Sequence, residues 1–168
     1  MAQTHPARGV VEDDAIDLLC TDQEEFAELF ERYAAMAADR APADEREELA
    51  EELCSLLLVH AAVKEEIFYP AVRAFIDEEY LLDEALVALD SARSLVDDIQ
   101  SGDPTQPRHD AQVAILHELV AQHFEEERTQ LFPKLRATSL DLEELGAEIG
   151  ARQELLLSID EDARTDAP

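Results

Sequence analysis

Glycine, tryptophan, cysteine and lysine are all scarce in this chain. It has four glycines and no tryptophan. With long runs of Ala, Leu, Glu, Asp and Arg, that composition reads as all-α. Cysteine is limited to Cys20 and Cys54. They fall on different predicted helices and form no metal motif, so both read as small core residues. No run of about 18 apolar residues exists, so a membrane-spanning helix is not expected. The first residues, Met-Ala-Gln-Thr-His-Pro-Ala-Arg-Gly-Val-Val, carry no hydrophobic signal region. The expected location is therefore cytoplasmic, where a standing disulfide is not expected.

Positive charge is scarcest of all. Thirteen Lys and Arg face 41 Asp and Glu, for a net charge of −28. Such a surface repels nucleic acid and anionic membrane, and neither is an expected partner. A solvated acidic face is the simplest account of the charge, and a high-salt habitat is the alternative. The lysines are Lys64 and Lys134 alone, and one of the two falls where a core residue belongs.

What the chain does have is helical periodicity. The 168 residues suffice for one domain with a real core. Residues 1–11 read as a loose tail, 12–137 as a bundle of four helices, 138–159 as an additional C-terminal helix and 160–168 as a fraying end. The predicted helices run over about 13–39, 44–76, 79–100 and 108–137. Pro70 should bend the second, and Pro133 falls near the end of the fourth. Short connections between four amphipathic helices make an antiparallel up-down four-helix bundle the natural packing.

Three of the four apolar stripes carry polar residues in mid-helix. In the first helix the stripe is Ile16, Leu19, Gln23, Phe26, Phe30, Tyr33. The second reads Leu49, Leu53, Leu56, His60, Val63, Ile67, with Lys64 one turn after His60. The third, Leu82, Leu86, Leu89, Ala92, Val96, Ile99, is apolar throughout. The fourth is Val113, Leu116, Val120, His123, Glu127, Leu131. The second and fourth helices echo one another: His60 matches His123, Pro70 matches Pro133 and Arg73 matches Arg136. Where the later copy has Glu127, the earlier has Lys64. A carboxylate on a core stripe must be paired or bound to metal, and imidazole with carboxylate suits iron, zinc or manganese. His5, His109 and His117 lie in tail, loop or off the stripe, and are expected to be solvated.

These segments resemble the hemerythrin-type cation-binding domain, the four-helix bundle of non-haem di-iron proteins. The likeness rests on Asp-Gln-Glu-Glu-Phe from Asp22, Val-His-Ala-Ala-Val-Lys-Glu-Glu-Ile-Phe-Tyr-Pro from Val59, Asp-Glu-Ala-Leu-Val-Ala-Leu-Asp from Asp83, and His-Phe-Glu-Glu-Glu-Arg-Thr-Gln-Leu-Phe-Pro from His123. It covers about residues 13–137. The family pattern implies a histidine on helix 1, His-x-x-x-Glu on helix 2, a histidine on helix 3 and His-x-x-x-Glu on helix 4. Here those positions hold Gln23, His60 with Lys64, Leu89, and His123 with Glu127.

The resemblance thus implies His60, His123 and Glu127 as remnant metal ligands and Gln23, Lys64 and Leu89 as former ligand positions. The expectation is that the Lys64 ammonium replaces metal, pairing with Glu127 and hydrogen-bonding Gln23. The chain would then need no cofactor and act as a binding, regulatory or structural module rather than an enzyme. A protein partner or a second copy could dock through the C-terminal helix. Two alternatives stay open. Lys64 could snorkel to the surface along its aliphatic stem. Alternatively Glu65, five residues after His60, could join His60, His123 and Glu127, with Asp90 a weaker candidate. That would give a working non-haem iron or zinc protein that binds or reduces oxygen, peroxide or nitric oxide.

Overall fold

The computed structural model describes residues 13–165. Helix α1 (Ala15–Ala38) starts at Asp14, whose carboxylate accepts from the backbone N–H groups of Ile16 and Asp17 at 2.9 and 3.0 Å. The Asp17 side chain reaches back to the Asp14 N–H and closes a capping box. Beyond α1, Arg40 takes a positive φ of 54°, and Pro42 sets up the next helix.

Helix α2 (residues 43–73) is one rod with a wide turn in it. Its α-helical part, Ala43–Val63, passes into a π turn over Lys64–Phe68 and resumes as α over Tyr69–Arg73. Helix α4 (residues 107–136) repeats this, with Pro107–Glu126, a π turn over Glu127–Leu131, then Phe132–Arg136. Both π turns have a common cause. Pro70 and Pro133 lack a donor, and their rings crowd the carbonyl four residues earlier. Widening the turn lets the chain pass. The N–H of Tyr69 then bonds to the Lys64 carbonyl and that of Phe132 to the Glu127 carbonyl, each five residues back. The bend expected at Pro70 is thus a π turn that begins at Lys64.

Helix α3 (Glu79–Gln100) lies beside α2 and α4, and α1 packs on α2 and α4. The four form the antiparallel ring expected from the stripes. Helix α5 (Leu142–Thr165) lies across α1 and α2. It runs alongside α1, with Gln153 bonded to Asp22, and against the direction of α2, with Arg152 paired to Glu66 and Arg164 to Ser55. It begins later than expected and continues past Ile159 to Thr165, so residues 160–165 are helix rather than a fraying end. The tail at 1–11 and the last three residues lie outside the described residues.

The interior has two apolar halves. One gathers Leu19, Phe68, Val72, Leu82, Leu131, Leu135 and Ile149. The other gathers Phe26, Phe30, Leu53, Val96, Ile99, Val113 and Leu116. Between them, at mid-bundle, lie the buried polar side chains Gln23, His60, Lys64, His123 and Glu127. The observed α2 stripe differs from the expected one. Leu57 rather than Leu56 is buried, and after Val63 the buried residues are Phe68 and Tyr69, with Ile67 only half-buried. The π turn accounts for the second shift, because the extra residue per turn rotates everything after it.

Two glycines in α5 separate packing from propensity. A Cβ on Gly146 would lie 2.8 Å from the Ala15 backbone nitrogen and 3.0 Å from the Asp13 carbonyl oxygen, whereas one on Gly150 would meet nothing within 4 Å. Gly150→Ala is expected to raise stability by up to about 1 kcal/mol through helix propensity. Gly146→Ala is expected to lower it by pushing α5 off α1. Urea denaturation of the two variants checks this, and a stabilised Gly146→Ala would contradict the close approach.

Candidate functional site

Lys64 is fully buried, which removes the snorkelling alternative. Its Nζ lies 2.5 Å from Glu127 Oε1, and Glu127 is itself buried. The Lys64 Nζ also lies 3.1 Å from His123 Nε2. An ammonium can only donate, so in this contact His123 Nε2 is the acceptor. The ammonium stands 5.4 Å from the centre of the Tyr69 ring and 5.7 Å from that of Phe124, within cation–π reach.

Glu127 is saturated with donors. Tyr69 Oη donates to Oε1 at 2.6 Å, and Gln23 Nε2 donates to Oε2 at 2.8 Å. Gln23 therefore bonds to the carboxylate and not, as expected, to Lys64. Its orientation is set from outside: Arg128 Nε donates to Gln23 Oε1 at 2.7 Å, which leaves the amide nitrogen facing Glu127. Burial alone raises a carboxyl's pKa, but the adjacent Lys64 charge outweighs it and holds Glu127 well below its ordinary 4.5. Burial pulls Lys64 down from 10.5 while Glu127 pulls it back. Burial, and then the Glu127 charge, push the Tyr69 phenol well above 10, so it stays protonated and donates.

His60 sits one turn before Lys64 and beside this cluster. Its Nδ1 lies 3.0 Å from Asp22 Oδ2. Gln153 of α5 donates to the same Asp22 oxygen at 2.6 Å. Asp22 accepts, so the His60 Nδ1 carries the proton and Nε2 keeps a lone pair. That Nε2 is buried and has no hydrogen-bond partner among the described residues. Burial depresses the His60 pKa below 6.5 despite the Asp22 contact. The ring is held edge-on between Phe26 and Phe124, at centroid distances of 5.3 and 5.5 Å.

Leu89 of α3 is buried and lines a narrow apolar crevice with His60, His123, Val120 and Phe124. Glu65 is elsewhere: it pairs with Arg93 at 2.5 Å, half-exposed, on the outer side of α2 and α3. Asp90 is exposed. The structure therefore brings together Gln23, Lys64, His123 and Glu127, with His60 and Leu89 alongside, and leaves Glu65 out. Among the described residues no three His, Cys, Asp or Glu side chains are grouped so as to hold a metal ion.

Four contributors were not expected from the sequence: Tyr69, Asp22, Arg128 and Gln153. Tyr69 stands five after Lys64, which in an α-helix would turn it some 140° away. The π turn brings it back under the ammonium. Pro70, directly after it, was the usable signal. Two further expectations change. His109 is buried at the far end of the bundle, where its Nδ1 lies 3.1 Å from Tyr33 Oη, and Tyr33 also donates to Asp110 at 2.8 Å. His117 is half-buried and stacks on Phe30 at 4.6 Å. Cys54 is a core residue, its thiol pushed up by burial to about 12, whereas Cys20 is only half-buried.

The molecule at this point is an antiparallel four-helix bundle with one polar layer between two apolar halves. A family model, the hemerythrin HHE cation-binding domain, matches residues 14–135. The chain belongs to that family. The match spans α1 to α4 and ends before α5. A solved structure, that of a hemerythrin HHE cation-binding-domain-containing protein from Mycobacterium kansasii, resembles it with a TM-score of 0.74 at 22% identity. The likeness covers 93% of this chain and 95% of that one, and bears on the fold. No curated protein matches the chain.

Two predictions follow from the electrostatics. Lys64→Met and Glu127→Leu should each destabilise the bundle by about 3–5 kcal/mol, since each leaves a buried charge without its partner. The double variant should cost clearly less than the sum. Additive losses in urea denaturation would mean the two charges do not pair. The second concerns pH. The folded-state pKa of His60 lies below its ordinary 6.5, so the unfolded chain takes up this proton first. The stability contributed by neutral His60 is complete above that value and is lost as pH falls through it, by at most about 1.4 kcal/mol per unit. Glu127 adds a further loss below 4.5, its ordinary value. Between pH 7 and 5.5, His60→Gln should flatten the stability profile relative to the parent; parallel profiles would contradict a neutral, buried His60.

Proposed function

We propose that this chain is a metal-free member of the hemerythrin-like family, its centre closed by the Lys64–Glu127 ion pair, working as a binding or regulatory module. The observation that carries the reading is the place of the Lys64 Nζ, 2.5 Å from Glu127 Oε1 and 3.1 Å from His123 Nε2. A cation bonded to a would-be ligand pair repels a second cation. Two unit charges 4 Å apart interact by about 4 kcal/mol at an effective dielectric of 20. The remaining donors fit a two-metal centre poorly as well. Gln23 spends its amide on Glu127 and Arg128, Leu89 offers no donor, and Glu65 is committed to Arg93. In this reading the residues present hold protons and hydrogen bonds, and no oxygen chemistry runs through them.

The outer face of α5, where Leu155 and Ile159 are exposed, is the surface proposed for a protein partner or a second copy. Among the described residues no helix is long and apolar enough to cross a membrane. With the charge of −28, neither membrane nor nucleic acid is proposed as a partner.

One observation favours the other reading, a non-haem iron or zinc protein that binds or reduces oxygen, peroxide or nitric oxide. His60 has a free, buried Nε2 and an Asp22 behind its Nδ1. Carboxylates hold metal-binding imidazoles in this way. The two readings separate on metal content. After anaerobic iron loading, removal of excess iron and exposure to air, the parent chain should retain none and show no oxo-bridge absorption. Lys64→Glu should retain more. Near-stoichiometric iron in the parent would overturn the metal-free reading, and a Lys64→Glu variant no better than the parent would remove Lys64 as the block.

A further inference from the structure

Acidic residues are spread over α1, α2 and α5, but one stripe of α4 is nearly free of them. At steps of four and three it runs Arg108, Gln112, Ile115, Leu119, Gln122, Glu126, the spacing of a helix–helix seam. It lies wholly in the α-helical part, Pro107–Glu126, and stops where the π turn begins, so its members share one face. That face looks outward. Ile115 is 52% exposed, Arg108 and Gln122 are exposed, and Gln112, Leu119 and Glu126 are half-buried. Between Asp110 and Glu125 the one acid is Glu118. It lies round on the α1 side, lining a groove with Phe30 and His117. On the α3 side Leu119 lines the apolar crevice with Ala88 and Ala92, and Val87, next to Ala88, is exposed.

The stripe is complementary to its own reverse. Turned end for end about a point between Ile115 and Leu119, it sets Arg108 against Glu126, Gln112 against Gln122 and Ile115 against Leu119. A two-fold contact demands this self-complementarity. Arg108 takes part in none of the ion pairs among the described residues. Gln122 Nε2 donates to Glu126 Oε1 at 3.0 Å, which leaves the Gln122 carbonyl for a donor from outside. Charge selects the same occupant. A cationic partner would gain most on the acid-rich helices, whereas a chain of −28 approaches a second copy most readily where acids are absent. The outer face of α5 lacks that property, because Glu148 and Asp162 share the stripe of Leu155 and Ile159.

We propose that two copies of this chain pair through α4, their Arg108–Glu126 stripes antiparallel across a two-fold axis. Ile115 of each copy packs on Leu119 of the other, and an Arg108–Glu126 ion pair closes each end. Val87 and Ala88 of α3 flank the seam. The α5 face is left to a partner of a different kind. The contact is independent of what the centre holds.

Sedimentation equilibrium with charge reversal tests this. The parent chain should be a dimer in the sub-millimolar range at physiological salt. Ile115→Glu should weaken the dimer by about tenfold or more, since it sets a carboxylate against Leu119. Arg108→Glu and Glu126→Arg should each weaken it, because each sets like charges opposite one another at both ends. Mixed in equal amounts, these two variants should form a heterodimer tighter than either homodimer. The double variant Arg108→Glu/Glu126→Arg should regain most of the parent's affinity. Leu155→Glu on α5 should leave the dimer unchanged.

A parent chain that stays monomeric overturns the proposal. So does a dimer that survives Ile115→Glu, one that Leu155→Glu breaks instead, or a mixture with no preference for the heterodimer. If a charge-reversed variant does not fold by circular dichroism, Ile115→Glu against Leu155→Glu decides alone. Failure of the metal-free reading is separate and shows as iron in the parent chain.

Discussion

The buried contact between Lys64 and Glu127 is the interaction on which the rest of the bundle depends. Two opposite charges have been taken out of water at mid-bundle, where desolvation offsets much of their attraction. Such a pair stabilises little in itself. Its effect is to make every other arrangement worse. Sliding α2 by a turn against its neighbours would set Lys64 against Phe26 and Val120 on one side or Leu19 and Leu131 on the other. An unpaired ammonium there would cost several kcal/mol. The polar layer thus fixes the register in which the two apolar halves close.

The layer is built by a backbone device used twice. Lys64 and Glu127 each open a π turn, each followed by a proline whose missing donor and bulky ring cause the turn. The widened turns let residues five apart share a face. On α2 that supplies Tyr69, which completes the hydrogen bonding of Glu127. Further donors come from α1 through Gln23, itself held by Arg128 of the π turn on α4. Helix α5 reaches the layer as well, through Gln153, Asp22 and His60. Every helix except α3 therefore contributes a polar group, and α3 contributes Leu89.

Much of this was legible in the sequence because spacing by threes and fours reports the buried face of a helix directly. Gln23, His60, His123 and Glu127 each interrupt an apolar stripe, and all are buried. Lys64 was legible as the charge-reversed partner of Glu127 in a repeated segment. The rest was hidden for physical reasons. Tyr69 is off the α-helical stripe and joins the site only through the π turn. Asp22 and Arg128 lie at the edges of their stripes, where a polar residue looks solvated. Gln153 acts from a helix whose docking onto α1 depends on Gly146, a close approach that no periodicity announces. His109 looked like a loop residue because Pro107 precedes it, yet Pro107 opens α4 and the third residue of that helix already faces inward.

The scarcity of lysine makes the central claim directly observable. Labelling with ¹⁵N-lysine gives two side-chain signals, one from buried Lys64 and one from Lys134, which is exposed and paired with Glu78. Lys64 is expected to appear as a slowly exchanging ammonium, distinct from fast-exchanging Lys134. Its signal should stay unchanged after anaerobic iron loading and exposure to air. A Lys64 signal that broadens away on loading, or that never shows the slow exchange of a buried ammonium, would contradict the account that this bundle is closed by its own cation.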